Sequence, residues 1–279
     1  MLLSCKSSLY ILDIKPLSNN ENKVNIKDNS IELKNVEFKY ENSKSNAIDG
    51  ISLKIKPNQT VALVGPSGSG KSTLANLISR FYDIDSGKIL IGNVNVKDIE
   101  KKELMNTISF VFQNSKLLKT SIYENVKMAK PEATKVEVLH ALHLAQCDDI
   151  VQKLPNGIDT VIGTKGVYLS GGEEQRINIA RIMLKDSKIV ILDEATAFAD
   201  PENEIQVQKA FEELSKNKTV IMIAHRLSTI KNVDKIYVLN NGKIEEEGNH
   251  EELLNKNGLY KEMWDNYQTS ISWKVGENV

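Results

Sequence analysis

The stretch TVALVGPSGSGKST, Thr60 to Thr73, decides how this chain folds. TVALV is almost continuously apolar, the pattern of a strand covered on both faces. GPSGSGKST follows at once, with Gly65, Gly70, Lys71 and Ser72 at the spacing G-x-x-x-x-G-K-[ST]. Beyond it Leu74, Leu77, Ile78 and Phe81 fall on one helical stripe. A glycine-rich turn between a buried strand and a helix lets the backbone curl until its N–H groups converge on an anion. The positive end of the helix dipole adds to the attraction. Gly65, Pro66, Ser67, Gly68, Ser69, Gly70, Lys71, Ser72 and Thr73 are therefore candidate nucleotide-binding residues. Lys71 can reach the β- and γ-phosphates, and the Ser72 hydroxyl suits Mg²⁺.

Working outward, the strand signal returns downstream. IVILDE, 189–194, is a buried strand that ends in two acids. Behind a phosphate loop, Asp193 suits Mg²⁺ binding, and Glu194 suits a base that orients an attacking water. TVIMIA, 219–224, and KIYVL, 235–239, are further strands, and Asn241-Gly242 predicts a hairpin into KIEEE. Upstream, IELKNVEFKY, 31–40, and ISLKIK, 51–56, alternate apolar and polar residues as half-buried antiparallel strands do. Residues 114–184 read as mainly helical, with Val136, Leu139 and Leu142 at helical spacing. The tail from Asn249 to Trp273 also reads as helix. The order predicts an α/β fold: a parallel-sheet core, an N-terminal antiparallel β region and an inserted helical lobe.

Three further residues stand at strand ends, and for His225 that is the end at which parallel sheets place ligands. Gln113 closes ISFVFQ and offers a neutral amide to Mg²⁺ or to water. His225 follows TVIMIA and can donate to a γ-phosphate. Tyr40 offers a ring on which adenine can stack. Read singly, Gln113 and His225 are more often a surface amide and a surface histidine, and Tyr40 fits a half-exposed strand aromatic equally well. LSGGEEQR, 169–176, raises a separate question, because Ser170, Gly171 and Gly172 open a helix and form a second approachable anion site in a chain that already has one.

Composition bounds the function. The chain has 279 residues and a net charge of −1, which argues against a nucleic-acid partner. Its two cysteines, Cys5 and Cys147, have no paired spacing and fit a reducing compartment. No apolar run reaches the roughly 18 residues that a membrane helix needs. The polar segment 18–30 reads as a linker, so the folded domain is expected to begin near Ile31.

Taken together, the phosphate loop at 65–73, Gln113, LSGGE at 169–173, ILDE at 191–194 and AHR at 224–226 stand in one order. In that order the chain resembles the nucleotide-binding domain of an ATP-binding cassette (ABC) transporter over about residues 31–265. The resemblance implies ATP and Mg²⁺ as cofactors, with Ser72, Gln113 and Asp193 at the metal. It implies Lys71, Glu194 and His225 as the catalytic set and Tyr40 against adenine. It also answers the question of the second anion site. In this family two domains face head to tail, and Ser170, Gly171, Gly172 and Glu173 of one chain close over the ATP held by the other.

DEAT followed downstream by AHRLSTI is similar to the exporter-type branch. SLYILDIKPL resembles the exit from a membrane domain, so residues 1–30 are expected to be a linker from one, and residues 31–279 the ATPase domain with its helical part at about 114–184. The implied partners are a second ABC ATPase domain, as homo- or heterodimer, and a transmembrane domain. The implied place is the cytoplasmic face of the cell membrane, with the isolated chain soluble. An importer ATPase and a soluble non-transport ABC ATPase remain alternatives. Two departures stand out: Ala197-Phe198-Ala199-Asp200 replaces the usual Ser-Ala-Leu-Asp, and Thr164-Lys165-Gly166 replaces a Glu-bearing loop.

Overall fold

Apolar–polar alternation builds strands β1 (Ile31–Phe38) and β2 (Ile48–Ile55), whose inward residues Ile31, Leu33, Ile51, Leu53 and Ile55 are buried. They pair antiparallel, Ile31 opposite Ile55, and β1 pairs on its other side with β4 (Ser86–Ile91). With the short β5 (Val94–Asn95) the order is β2-β1-β4-β5. The computed structural model describes residues 17, 24–41, 43–111, 116–163, 167–194, 201–224 and 227–276.

The second sheet contains β3 (Thr60–Val64), β6 (Ile108–Val111), β7 (Ile189–Glu194), β8 (Thr219–Ala224), β9 (Lys235–Asn240) and β10 (Lys243–Gly248). Its order is β10-β9-β3-β8-β7-β6, parallel throughout except for the β9–β10 hairpin. Both faces are covered, and side chains alternate between two cores. Val61, Leu63, Ile189, Ile191, Ile221 and Ile223 face the antiparallel sheet and helix α1 (Lys71–Ile78). Ala62, Val64, Val190, Leu192, Val220 and Met222 face the other helices. Strands β3, β7 and β8 are thus apolar on both sides, as parallel strands with two covered faces must be.

Helices α2 (Lys101–Thr107), α3 (Ile122–Lys127), α4 (Lys135–Leu144), α5 (Asp148–Lys153) and α6 (Gly171–Lys185) come next in the chain. Then come α7 (Pro201–Ser215), α8 (His250–Lys256) and α9 (Leu259–Gly276). Thr134 and Ser170 close reciprocal capping boxes with Glu137 and Glu173, which start α4 and α6 at defined residues. The tail is two helices, not one, because Asn257 turns left-handed at φ 53° and ends α8.

Two expectations need adjusting, and the face of one helix is settled. The stripe on α1 stops at Ile78: Arg80 takes φ 55°, the helix ends, and Phe81 leaves the stripe for a partly exposed position beside the Phe110 ring. On α4 the buried face is Val138, Ala141 and Leu142, whereas Val136 and Leu139 face outward, because the helix packs against α6 along that side. Finally, the ordered body reaches upstream of Ile31. Val24 and Ile26 pack on the core of the antiparallel sheet, the Thr219 hydroxyl donates to the Asn29 carbonyl at 2.9 Å, and the Gly92 N–H donates to the Ser30 carbonyl at 2.9 Å.

Candidate nucleotide site

Because β3, β6, β7 and β8 run parallel, their C-terminal ends lie along one edge of the sheet. That edge carries the glycine loop after Val64 and the Asp193–Glu194 pair ending β7. Ala224 ends β8 and Val111 ends β6, so in sequence His225 stands one residue past the edge and Gln113 two residues past it. His225 and Gln113 themselves lie outside the described residues. The register sets Leu63 beside Ile223 and Ile223 beside Asp193. Asp193 is therefore two strand positions from the loop-bearing strand, on the order of 10 Å between backbones at the usual strand spacing.

The loop is built by close backbone packing. Gly65 has φ 144°, and a Cβ there would lie 2.0 Å from the Leu239 carbonyl oxygen on β9. Gly70, at φ 103°, begins α1 without any side-chain cap, and a Cβ there would press on the Ala47 carbonyl at 2.7 Å. The first N–H groups of α1 are thus left to the loop, as an anion site requires. The loop is also held from outside, since the Gly242 N–H in the β9–β10 hairpin donates to the Ser69 carbonyl at 3.1 Å.

Lys71 is buried, and its ammonium folds back over the loop. Nζ donates to the carbonyls of Gly65 at 2.9 Å and Pro66 at 2.8 Å, and to Ser69 Oγ at 3.3 Å. Burial pulls its pKa below the ordinary lysine value, while the charge of Asp193 pulls the other way. A desolvated cation inside a ring of carbonyls is well placed to exchange them for phosphate oxygens. Pro66, Ser67, Gly68 and Ser72 are exposed on the outer side of the turn. The Ser72 hydroxyl and the Asp193 carboxylate are hard oxygen donors, the class that Mg²⁺ takes, so the donor set fits that ion.

Tyr40 lies beside the same loop. Its hydroxyl is 3.1 Å from Thr73 Oγ1, and its ring sits edge-on to Phe38 at 4.8 Å and to Tyr82 at 5.5 Å. The ring remains about a third exposed at 36%. The structure thus brings Tyr40, residues 65–73 and Asp193 into one neighbourhood.

LSGGE occupies a different place. Ser170 caps α6: its Oγ accepts from the Glu173 N–H at 3.3 Å, and Glu173 Oε2 accepts from the Ser170 N–H at 2.8 Å. Glu173 is buried and also pairs with Lys153. Burial opposes its ionisation, but the Lys153 ammonium and the Ser170 N–H hold its pKa below the ordinary glutamate value. Its carboxylate is thus engaged within its own lobe. Ser170 and Gly171 are exposed, Gly172 is buried, and α6 packs on α3, α4 and α7.

The profile of the ABC transporter family matches residues 48–197, more than half of the chain. The chain belongs to the ABC transporter family. It is 43% identical over 265 residues to the ATP-dependent lipid A-core flippase of Haemophilus influenzae (strain 86-028NP), covering 94% of this chain and 45% of that protein. It is 44% identical over 234 residues to a Bacillus subtilis (strain 168) protein provisionally named a multidrug export ATP-binding/permease protein, covering 84% of this chain and 40% of that one. A solved structure of a bacterial Atm1-family ABC exporter with ATP bound superposes with a TM-score of 0.85 and 35% identity, over 95% of this chain and 47% of that one. The chain thus spans less than half the length of the ABC proteins it matches. Among the described residues no helix is long and apolar enough to cross a membrane.

Within this ABC domain, three supports of the site carry no local signal in the sequence. Gly242 was legible as a hairpin residue but not as a prop for Ser69. The Tyr40–Thr73 contact joins residues that share no local pattern. Arg176 stands at the end of LSGGEEQR as an ordinary helical residue, yet it is among the most buried side chains of the molecule.

Proposed function

We propose that this chain is the ATP-binding and ATP-hydrolysing motor domain of an exporter-type ABC transporter, driving substrate movement through a transmembrane domain. The observation that carries the reading is the gathering of the glycine loop, Lys71 and Asp193 at one sheet edge, with the LSGGE helix set apart from them on another lobe. That separation suits two chains arranged head to tail, each lending Ser170, Gly171 and Gly172 to the nucleotide of the other. ATP then bridges the pair, and binding it stabilises the dimer by linkage. The exporter names and coverage of the relatives support the wider assignment, to which we add a place at the cytoplasmic face of the membrane.

In the proposed mechanism Tyr40 stacks against adenine, and the 65–73 backbone with Lys71 holds the β- and γ-phosphates. Ser72, Gln113 and Asp193 hold Mg²⁺, which supplies charge neutralisation of the phosphates when bound. Glu194 orients the attacking water, and His225 donates to the γ-phosphate. In a loose phosphoryl-transfer transition state such positioning matters more than basicity. Leu118, which is exposed beside the half-buried Leu117 just ahead of α3, lies on the surface we assign to the membrane domain.

Glu194→Gln tests the reading. It keeps the side chain's shape and removes its charge, so ATP binding should persist while hydrolysis stops and ATP-bridged dimers accumulate on size exclusion with Mg²⁺. Unchanged turnover would remove Glu194 from the reaction and the assignment with it.

A further inference from the structure

Beside the N-terminus of α6 lies a contact that the roles above do not use. Gly172 is packed so closely on α7 that a Cβ there would lie 2.8 Å from Asn203 Cβ and 3.1 Å from its Cγ. One helical turn further along α6, on the same face, Arg176 Nη2 donates to Asn203 Oδ1 at 3.1 Å. The same guanidinium makes a two-pronged bond to Asp149 on α5, at 2.7 and 3.0 Å, and donates to the Gln146 carbonyl. Arg176 is 1% exposed. Burial works against the Asp149 carboxylate, yet the hydrogen bonds and charge of Arg176 hold its pKa below the ordinary value.

Arg176 therefore binds α6 to the helical lobe through Asp149, and to the core through Asn203. Of these contacts, only the one to Asn203 leads to α7, the helix that follows strand β7 and its acids in the chain. A planar guanidinium with fixed N–H directions is a rigid spacer, so the position of Asn203 sets where the start of α6 lies.

We propose that Asn203 is a positioning residue for the reaction: through Gly172 and Arg176 it places the exposed Ser170–Gly171 end of α6 for the nucleotide of a partner chain. This rests on the shared-site reading above. Asn203 acts through Gly172 and Arg176. It acts on the site that its own chain completes for the other chain, not on the site formed by its own Lys71.

That direction can be measured. In the 279-residue chain, Asn203→Ala should lower kcat about tenfold, the scale of losing one charge-assisted hydrogen bond, and leave the KM for ATP within about twofold, because the glycine loop and Lys71 that hold the phosphates are untouched. Asn203→Asp keeps the acceptor for Arg176 and should recover kcat to within about threefold at a thermal midpoint close to that of the Ala variant. An unchanged kcat in Asn203→Ala, or an equal loss in both variants, would overturn the proposal.

The decisive arm mixes Asn203→Ala with Lys71→Ala. In a mixed dimer one site then has an intact loop and an intact α6 end, so turnover should rise to about a quarter of wild type at equal mixing. If Asn203 served its own chain's loop, no mixed site would be whole and turnover would stay at a few per cent, on the order of the residual Asn203→Ala activity. A parallel mixture of Ser170→Arg with Lys71→Ala separates the two ideas. Recovery there without recovery for Asn203→Ala overturns this inference alone. No recovery there overturns the shared-site reading, and the inference falls with it.

Discussion

Gly172→Ala sets helix propensity against packing. In a helix, alanine is favoured over glycine by about 1 kcal/mol. Against this, the new Cβ would lie 2.8 Å from Asn203 Cβ. That atom is fixed to the α7 backbone and cannot swing aside, so α6 and α7 must part. Overpacking of this kind costs about 1–3 kcal/mol, which exceeds the propensity gain. The net expectation is a destabilisation of up to about 2 kcal/mol, seen as a fall of a few degrees in the thermal midpoint and a lower urea midpoint at unchanged slope. A double-mutant cycle with Asn203→Gly, which removes the opposing Cβ, should return a coupling of about 1 kcal/mol or more. If Gly172→Ala stabilised the protein, or if the two substitutions added within about 0.5 kcal/mol, the close approach of α6 to α7 would be refuted.

Other outcomes are equally definite. Tyr40→Ala should weaken ATP binding about tenfold or more by loss of base stacking, while Tyr40→Phe stays within about threefold because the ring remains; equal losses in a nucleotide titration would show that the bond to Thr73, not the ring, is what counts. Leu77→Ala, at a fully buried site on α1, should cost about 2–5 kcal/mol of stability, and a urea midpoint equal to wild type would contradict the burial of α1. Burial pushes the Cys147 thiol up to about 12, so in a Cys5→Ser background it should resist a thiol reagent at pH 8 until denaturant is added; rapid native labelling would contradict that burial. Because its folded pKa lies above the unfolded value, the unfolded chain loses this proton first, and this group's contribution to stability should decline as pH rises from about 8.5 towards the folded value.

Where local physics was sufficient, the sequence was legible. TVALV is strand β3 residue for residue, and the glycine loop opens α1 at Lys71 as the motif requires. Asn241-Gly242 is the hairpin. The failures were failures of context. Phe81 kept the helical spacing but not the helix, because one residue at positive φ cannot be read from periodicity. The helical spacing of Val136, Leu139 and Leu142 gave the helix but no face, because α4 is apolar on more than one side and only the partner helix chooses among them.

What the sequence determined by itself was therefore chemistry with a short reach: a strand, a phosphate loop and a helix in succession, two acids at the end of a buried strand, and a capped helix opening with Ser-Gly-Gly. Those follow from side-chain period, backbone freedom and capping, all of which act within a few residues. Only the tertiary structure decided that β8 lies between β3 and β7, which brings the charge of Asp193 to bear on Lys71. It alone set Gly242 under Ser69 and Asn203 between Gly172 and Arg176. Apolar strands of similar composition pair almost equally well with one another, so neighbours in a sheet are selected by the packing of the whole chain and leave no mark in any one segment.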